Sequence, residues 1–167
     1  MINKLCVAAV GSLFFAASAY AAPPACDEMT TVSAPNVLNG TTVGAGGGIE
    51  VIGPYSLANE AGQKVWSFVA GDNVDGSFTV TATPDWGWGL FVTTGCSVAP
   101  PAPIQSLATG EASTTLTLDP ARYTAGTTYY VILSGLRAAE GAMPLEGGFS
   151  INVTPNLPVS LQNFSVD

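Results

Sequence analysis

The feature that most constrains this chain is a set of short runs in which apolar and small polar residues alternate one for one. In "GSFTVTATP" (76–84), Phe78, Val80 and Ala82 alternate with Thr79, Thr81 and Thr83. Successive side chains of a strand point to opposite sides, so such a run lays one apolar face on a core and turns hydroxyls outward. A helix would scatter both sets around its circumference. The pattern recurs in "KVWSFVA" (64–70), with Trp66, Phe68 and Ala70 on one side, in "ASTTLTLD" (112–119) and "TTYYVILSG" (127–135), and in "GGFSINVTP" (147–155), where Phe149, Ile151 and Val153 share a face. "GLFVTTGC" (89–96) adds a strand, and residues 36–44, 49–55, 102–109 and 159–167 are weaker candidates. Gly, Pro, Asn and Asp separate the runs, and eight to ten strands at such short intervals define an all-β sandwich or barrel. By composition "GDNVDG" (71–76) reads as a hairpin loop, and "GAGGG" (44–48) and "APPAP" (99–103) read as connectors. In the last candidate the apolar residues change phase between Leu161 and Phe164, which places a bulge near Gln162 and Asn163.

The first 21 residues stand apart from this pattern. Lys4, an apolar run from Leu5 to Ala17 and the small-residue ending Ala19-Tyr20-Ala21 have the form of a secretory signal with its cleavage site. The run is shorter than the roughly 20 residues of a membrane span and gives way to Pro23-Pro24. The expected organisation is a signal peptide over 1–21, an N-terminal segment over 22–35, and a single β-domain over 36–167, delivered to the periplasm or beyond the cell. Cleavage would remove Cys6 and leave 146 residues with two cysteines, Cys26 and Cys96. An even count in an exported chain reads as a disulfide, here with one possible pairing.

Charge narrows the partners. After Lys4 is removed, Lys64, Arg122 and Arg137 face twelve carboxylates, a net charge of −9. No basic cluster exists to meet a phosphate backbone, so nucleic acid is excluded as a partner, and no membrane span is expected. Charged residues make up only 10% of the chain, against about 25% in ordinary domains. The strand faces turned away from the core are therefore neutral, carrying Thr, Ser and Asn.

Three blocks together resemble the bacterial pre-peptidase C-terminal domain: "KVWSFVAGDNVDGSFTVTATPDWGWGLFVTTGC", "STTLTLDPARYTAGTTYYVILSG" and "GGFSINVTP". They run from residue 64 to 155, about two-thirds of the expected mature chain. The resemblance implies a secreted, antiparallel, jelly-roll-like β-sandwich. It further implies an accessory role, since such modules accompany proteases and other exported enzymes as substrate-binding or folding-assisting domains, some with calcium. No catalytic domain precedes the module in this sequence, so a stand-alone role is expected.

The residues offer little catalytic chemistry. The chain has no histidine, so a Ser-His-Asp or Cys-His arrangement is ruled out and a zinc site lacks its usual ligands. A pair of carboxylates suffices for glycoside cleavage, but the acids are scattered through the loops and no spacing singles out two. No cofactor is expected beyond calcium, for which Asp72, Asn73 and Asp75 offer oxygens in one loop. That loop departs from the EF-hand pattern, because counting from Asp72 puts Val74 and Gly76 where side-chain ligands belong. Asp and Asn also favour turns without any metal.

The densest aromatic stretch is "TPDWGWGLFVTTGC" (83–96). Alternation puts Trp86, Trp88, Leu90 and Val92 on one face and Gly87, Gly89, Phe91 and Thr93 on the other. The first face is the core side, with Trp88 inside and Trp86 near a rim where the turn at Pro84-Asp85 exposes it. Asp85, Trp86 and Trp88 are thus the candidate ligand-binding residues, with Trp86 foremost. The functional expectation is a non-catalytic module binding extracellular polysaccharide or protein. The alternative is a structural or surface-assembly subunit that oligomerises through an edge strand or the C-terminal strand.

Overall fold

A computed structural model describes residues 24–32, 34–58, 60–109 and 112–154. The expected signal peptide, the C-terminal strand at 159–167 and its bulge lie outside these residues. After a single helical turn, α1 (Pro24–Asp27), the described chain forms eleven strands: β1 (Thr30–Thr31), β2 (Asn36–Thr41), β3 (Val51–Ile52), β4 (Tyr55–Ser56), β5 (Lys64–Val69), β6 (Ser77–Thr83), β7 (Trp88–Thr93), β8 (Gln105–Thr109), β9 (Ser113–Thr117), β10 (Thr128–Gly135) and β11 (Gly148–Val153). They build one sheet in the order β1-β5-β10-β7-β8, a second in the order β2-β11-β6-β9, and the small hairpin β3-β4. All pairings are antiparallel except β1 with β5. The protein is a β-sandwich.

The main core lies between the two large sheets and is made of the faces that alternation selects. Trp66 and Phe68 of β5, Leu90 and Val92 of β7, and Val131 and Leu133 of β10 meet Phe78 and Val80 of β6 and Ile151 and Val153 of β11. Ring contacts cross the interface, with Trp66 edge-on to Phe149 at 5.6 Å and Phe68 at 6.4 Å from Phe78. Such pairs add specific geometry to the burial of large apolar area.

The loop 71–76 is a crossover between the sheets and not a hairpin, since β5 pairs with β1 and β10 whereas β6 pairs with β11 and β9. The reason is packing. Phe68 and Phe78 both face the core, and they do so from opposite layers, so the chain must pass over the end of the sandwich, tucking Val74 (2% exposed) beneath it.

The outer faces of the two sheets differ. That of the second sheet is neutral and hydroxylated as expected, with Thr79 bonded across to Thr115 at 2.9 Å and Thr81 to Ser113 at 3.3 Å. That of the first is apolar. Val65, Phe91 and Ile132 form a second cluster beneath Ala25, Ile49, Ile52 and Leu57. The covering segment is held down by Gln63, itself 1% exposed, whose Oε1 accepts from Ile49 N–H (2.9 Å) while its Nε2 donates to Ile49 O (2.8 Å) and Ser134 Oγ (3.0 Å). Residues 44–48 belong to this cover and are not a free connector. Gly46 O accepts from Gln63 N–H, Gly47 O accepts from Ala25 N–H, and a Cβ on Gly46 would press on Pro24 at 3.0 Å.

Cys26 and Cys96 are bonded, with Cα atoms 5.9 Å apart, within the usual span for a disulfide. The bond fastens α1 to the loop after β7 at the edge of the second cluster. On the main-core side Tyr123, Tyr129 and Phe68 pack together, the two phenol rings 4.9 Å apart. Tyr123 Oη donates to Gln105 Oε1 (2.8 Å), and Gln105 Nε2 donates to Thr117 O (3.0 Å), tying edge strand β8 to edge strand β9.

Two tests follow from this packing. Closing a loop of 70 residues stabilises a fold by about 4 kcal/mol in the chain-entropy view, so urea titrations of the oxidised and reduced protein should differ by about that amount. Burial pushes the Tyr123 phenol above its ordinary 10.0, with Tyr129 and Asp119 adding to the shift and Arg122 opposing it. Above pH 10 the unfolded chain releases this proton while the folded one keeps it, so stability present below pH 10 falls as the pH rises further. Tyr123→Phe should flatten that alkaline decline in denaturation curves measured from pH 9 upward.

Candidate functional site

Trp86 is not at an exposed rim. It is wholly buried, as is Trp88. Its Nε1 donates to Gly148 O at 3.1 Å, which satisfies the one polar group of the indole. Gly147 lies against the ring, and a methyl group there would overlap it. The alternation was correct in placing Trp86 with Trp88, Leu90 and Val92, but the chain after Pro84 folds in, carrying the ring under the 144–148 segment, where Gly87 N–H donates to Pro144 O. Asp85 remains exposed beside it. Neither indole presents a free face.

Asp72, Asn73 and Asp75 are all exposed in the crossover between β5 and β6. Asn73 Nδ2 donates to Asp75 Oδ2 at 3.4 Å. Among the described residues no three acidic, histidine or cysteine side chains come together as a metal-binding set.

A built-up concavity lies elsewhere among the described residues. A cleft of about 590 Å³ opens between the tip of the β3-β4 hairpin, the edge strand β8 and the turn after β10, lined by Pro54, Tyr55, Ser56, Ala108, Leu136, Arg137 and Ala138. Each wall has a structural cause. Tyr55 leans on Phe91 of the second cluster, ring centroids 5.1 Å apart, and its Oη accepts from Ser106 Oγ at 3.2 Å. Leu136 is fixed by a bridge to Leu57 and by its N–H bond to Gly87 O (2.8 Å). Arg137 projects from the start of the following turn and pairs with Glu60 (2.9 Å) and Glu140 (3.5 Å).

These ion pairs are surface features, each side chain more than two-fifths exposed, so they contribute little stability. Their effect is local: two carboxylates offset the guanidinium and hold it at the mouth of a cleft with mostly apolar walls. A wall of Tyr, Pro, Leu and Ala with a few polar groups at the rim is suited to receiving a ring or an apolar side chain. A second, more open cleft of about 410 Å³ runs between Val43, Ala61 and the Pro144-Leu145-Glu146 segment. Its acids are engaged, Glu146 by Gly62 N–H and Glu60 by Arg137.

Sequence reasoning did not single out Tyr55, Leu136 or Arg137. The local signal was the "GPY" turn inside 49–55, but nothing in it reveals that the hairpin folds back over the first sheet to meet the turn at 136–138.

The arrangement defines a β-sandwich domain with one sheet covered on both faces and a ligand-sized cleft at the border of the cover. No family model matches the chain, and no curated protein matches it. Among solved structures the chain is similar to the pre-peptidase C-terminal domain of a collagenase from Bacillus anthracis, determined at 1.0 Å, with 9% sequence identity and a TM-score of 0.48 over 76% of this chain and 95% of that one. This is the family that the sequence resembles, and the likeness is one of fold.

Because Trp86 is a core residue bonded to a neighbouring strand, Trp86→Ala should cost about 3–5 kcal/mol in urea denaturation. Gly147→Ala should also destabilise, by crowding the same ring.

Proposed function

We propose that this protein is an exported, non-catalytic binding module that receives part of an extracellular polysaccharide or protein in the cleft at Tyr55. The single observation that carries the reading is the cleft itself: an aromatic ring, a serine and a guanidinium converge on apolar walls that are set by the core beneath them. Export to the periplasm or the cell exterior is supported by the Cys26–Cys96 bond, which persists in oxidising compartments. A non-catalytic role is supported by the absence of histidine from the chain and by the engagement of Cys26 and Cys96, the two cysteines that the expected cleavage leaves, in that bond, which leave a nucleophilic triad without base or thiol. Among the described residues no helix is long and apolar enough to cross a membrane.

In this reading Tyr55 supplies the face on which a sugar or side-chain ring stacks, Ser56 a hydroxyl, and Arg137 donors at the mouth. Calcium has no role in the contact, since Asp72 and Asp75 lie in the β5–β6 crossover and not among the residues that line the cleft.

The test is co-sedimentation of the oxidised protein with insoluble polysaccharides and fibrous proteins, with and without calcium. Loss of an aromatic stacking contact is worth about 1 kcal/mol, so Tyr55→Ala should weaken binding at least about fivefold while the fold, monitored by near-ultraviolet circular dichroism, persists. Calcium should leave the bound fraction unchanged. Equal binding by wild type and Tyr55→Ala would overturn the assignment of the cleft.

A further inference from the structure

The two sides of the sandwich are not closed alike. Gln105 ties β8 to β9 on one side. On the other, β1 is two residues long, whereas β2 runs for six residues and is the terminal strand of its sheet, paired with β11 and with no other described strand. Five of its residues are exposed, including Val37 at 52%.

The ladder identifies the groups that β2 leaves free. Thr42 N–H donates to Gly147 O at 3.0 Å, continuing the register in which Thr41 faces Gly148 and Asn39 faces Ser150. In an antiparallel pair residues alternate between those that exchange bonds with the partner and those that do not. Positions 36, 38 and 40 therefore bond to β11, and Val37, Asn39 and Thr41 turn N–H and C=O away from it. Val37 N–H is met by the side chain of Asn36 (2.8 Å). The groups of Asn39 and Thr41 form an open template, and β2 has none of the usual guards of an edge, such as a lysine, a proline or a bulge.

We propose that β2 is a homotypic assembly edge, at which a second copy of this chain adds its own β2 antiparallel about a two-fold axis through Asn39. Two features of this structure favour a second copy as the occupant. The first is self-complementarity. Two-fold pairing sets Asn39 opposite Asn39 and Val37 opposite Thr41 on the outer face, while on the inner face Leu38 of each copy lies opposite Gly40 of the other, a protruding side chain against a position with none. Isologous contacts require this kind of match.

The second is charge. The chain carries a net −8, which repels copies at most surfaces. The strands of the second sheet contain no charged residue at all, reading NVLNGT, GFSINV, SFTVTAT and STTLT. Pairing through β2 joins these neutral sheets into one of eight strands, and charges beyond about 8 Å are screened at physiological salt. An interface of two six-residue strands falls below the roughly 1,000 Å² of a stable complex. The dimer therefore forms only at high local concentration, as on a surface that gathers many copies.

The experiment is sedimentation velocity on the oxidised protein from about 1 μM to 1 mM, paired with amide hydrogen exchange at both ends of that range. Dimers should appear with rising concentration, and exchange at Asn39 and Thr41 should slow in step. Asn39→Lys places two like charges across the axis and should raise the dissociation constant at least about tenfold, with an unchanged melting curve at low concentration because position 39 is exposed. A monomer throughout, or dimers indifferent to Asn39→Lys, would overturn the proposal. So would slow exchange at Asn39 and Thr41 at every concentration, since that would place another segment of the same chain on the edge.

Discussion

The pairing of β10 between β5 and β7 is the contact on which the rest of the molecule depends. Antiparallel sheets in sandwiches commonly face water on one side, yet here the centre of the first sheet is buried on both: β7 is buried at all six positions, and β10 at six of eight. Phe91, Ile132 and Val65 turn away from the main core, and leaving them in water would forgo roughly 1.5–3 kcal/mol for each large side chain. The segment 42–63 exists to cover them. Once it lies across the sheet its backbone polar groups need partners, and the buried Gln63 provides them, with its side-chain amide bonded to Ile49 and Ser134 and its N–H to Gly46 O. The disulfide clamps the rim of the cover and β3-β4 turns at its margin. The Tyr55 cleft is therefore a consequence of two-sided burial, formed where the cover ends and the sheet edge begins.

Period-two alternation made the main sheets legible. Every long strand it marked between residues 64 and 155 is present, and Trp66, Phe68, Phe78, Val80, Ile151 and Val153 face the core as it requires. The disulfide was legible because, with Cys6 assigned to the expected signal peptide, Cys26 and Cys96 permit one pairing. What alternation cannot convey is the layer to which a strand belongs. β5 and β6 each bury one face, and the six residues between them serve a hairpin and a crossover equally well. The apolar outer face was partly visible in "VILSG", where Ile132 breaks the polar side of the strand, but its cover is a glycine-rich stretch whose composition resembles a linker. Glycine there answers a packing need at Gly46 against Pro24, and composition cannot distinguish such a need from freedom.

Charge is distributed to the same plan. Of the described strands only β5 carries a charged residue, Lys64 at its first position, and the described acids lie outside the strands. Such a protein keeps its solubility through its loops and leaves broad neutral sheet faces. The two proposed contacts use different parts of this division. The cleft brings together the sole ion-paired guanidinium of its mouth and a phenol, while the β2 edge lies in the neutral sheet, separated from the Tyr55 cover by the thickness of the sandwich. Occupation of one does not require the other to open.

The contrast between Trp86 and Tyr55 shows why aromatic density in a sequence is a poor guide to exposure. Trp86 stands beside two glycines and a second tryptophan, a combination that suggests a displayed platform. Two glycines distant in sequence act in the opposite sense, because the missing Cβ of Gly147 lets a backbone close over the indole and the carbonyl of Gly148 takes its N–H. With no polar group left to satisfy and no exposed face, the ring stabilises the fold from inside. Tyr55 has the reverse balance: one side of its ring rests on Phe91 and its hydroxyl is anchored by Ser106, yet the residue stays half-exposed at the lip of a cleft. A ring that is fixed on one side and open on the other has already lost the conformational entropy that binding would otherwise cost. For that reason the proposed contact is placed on the less conspicuous aromatic.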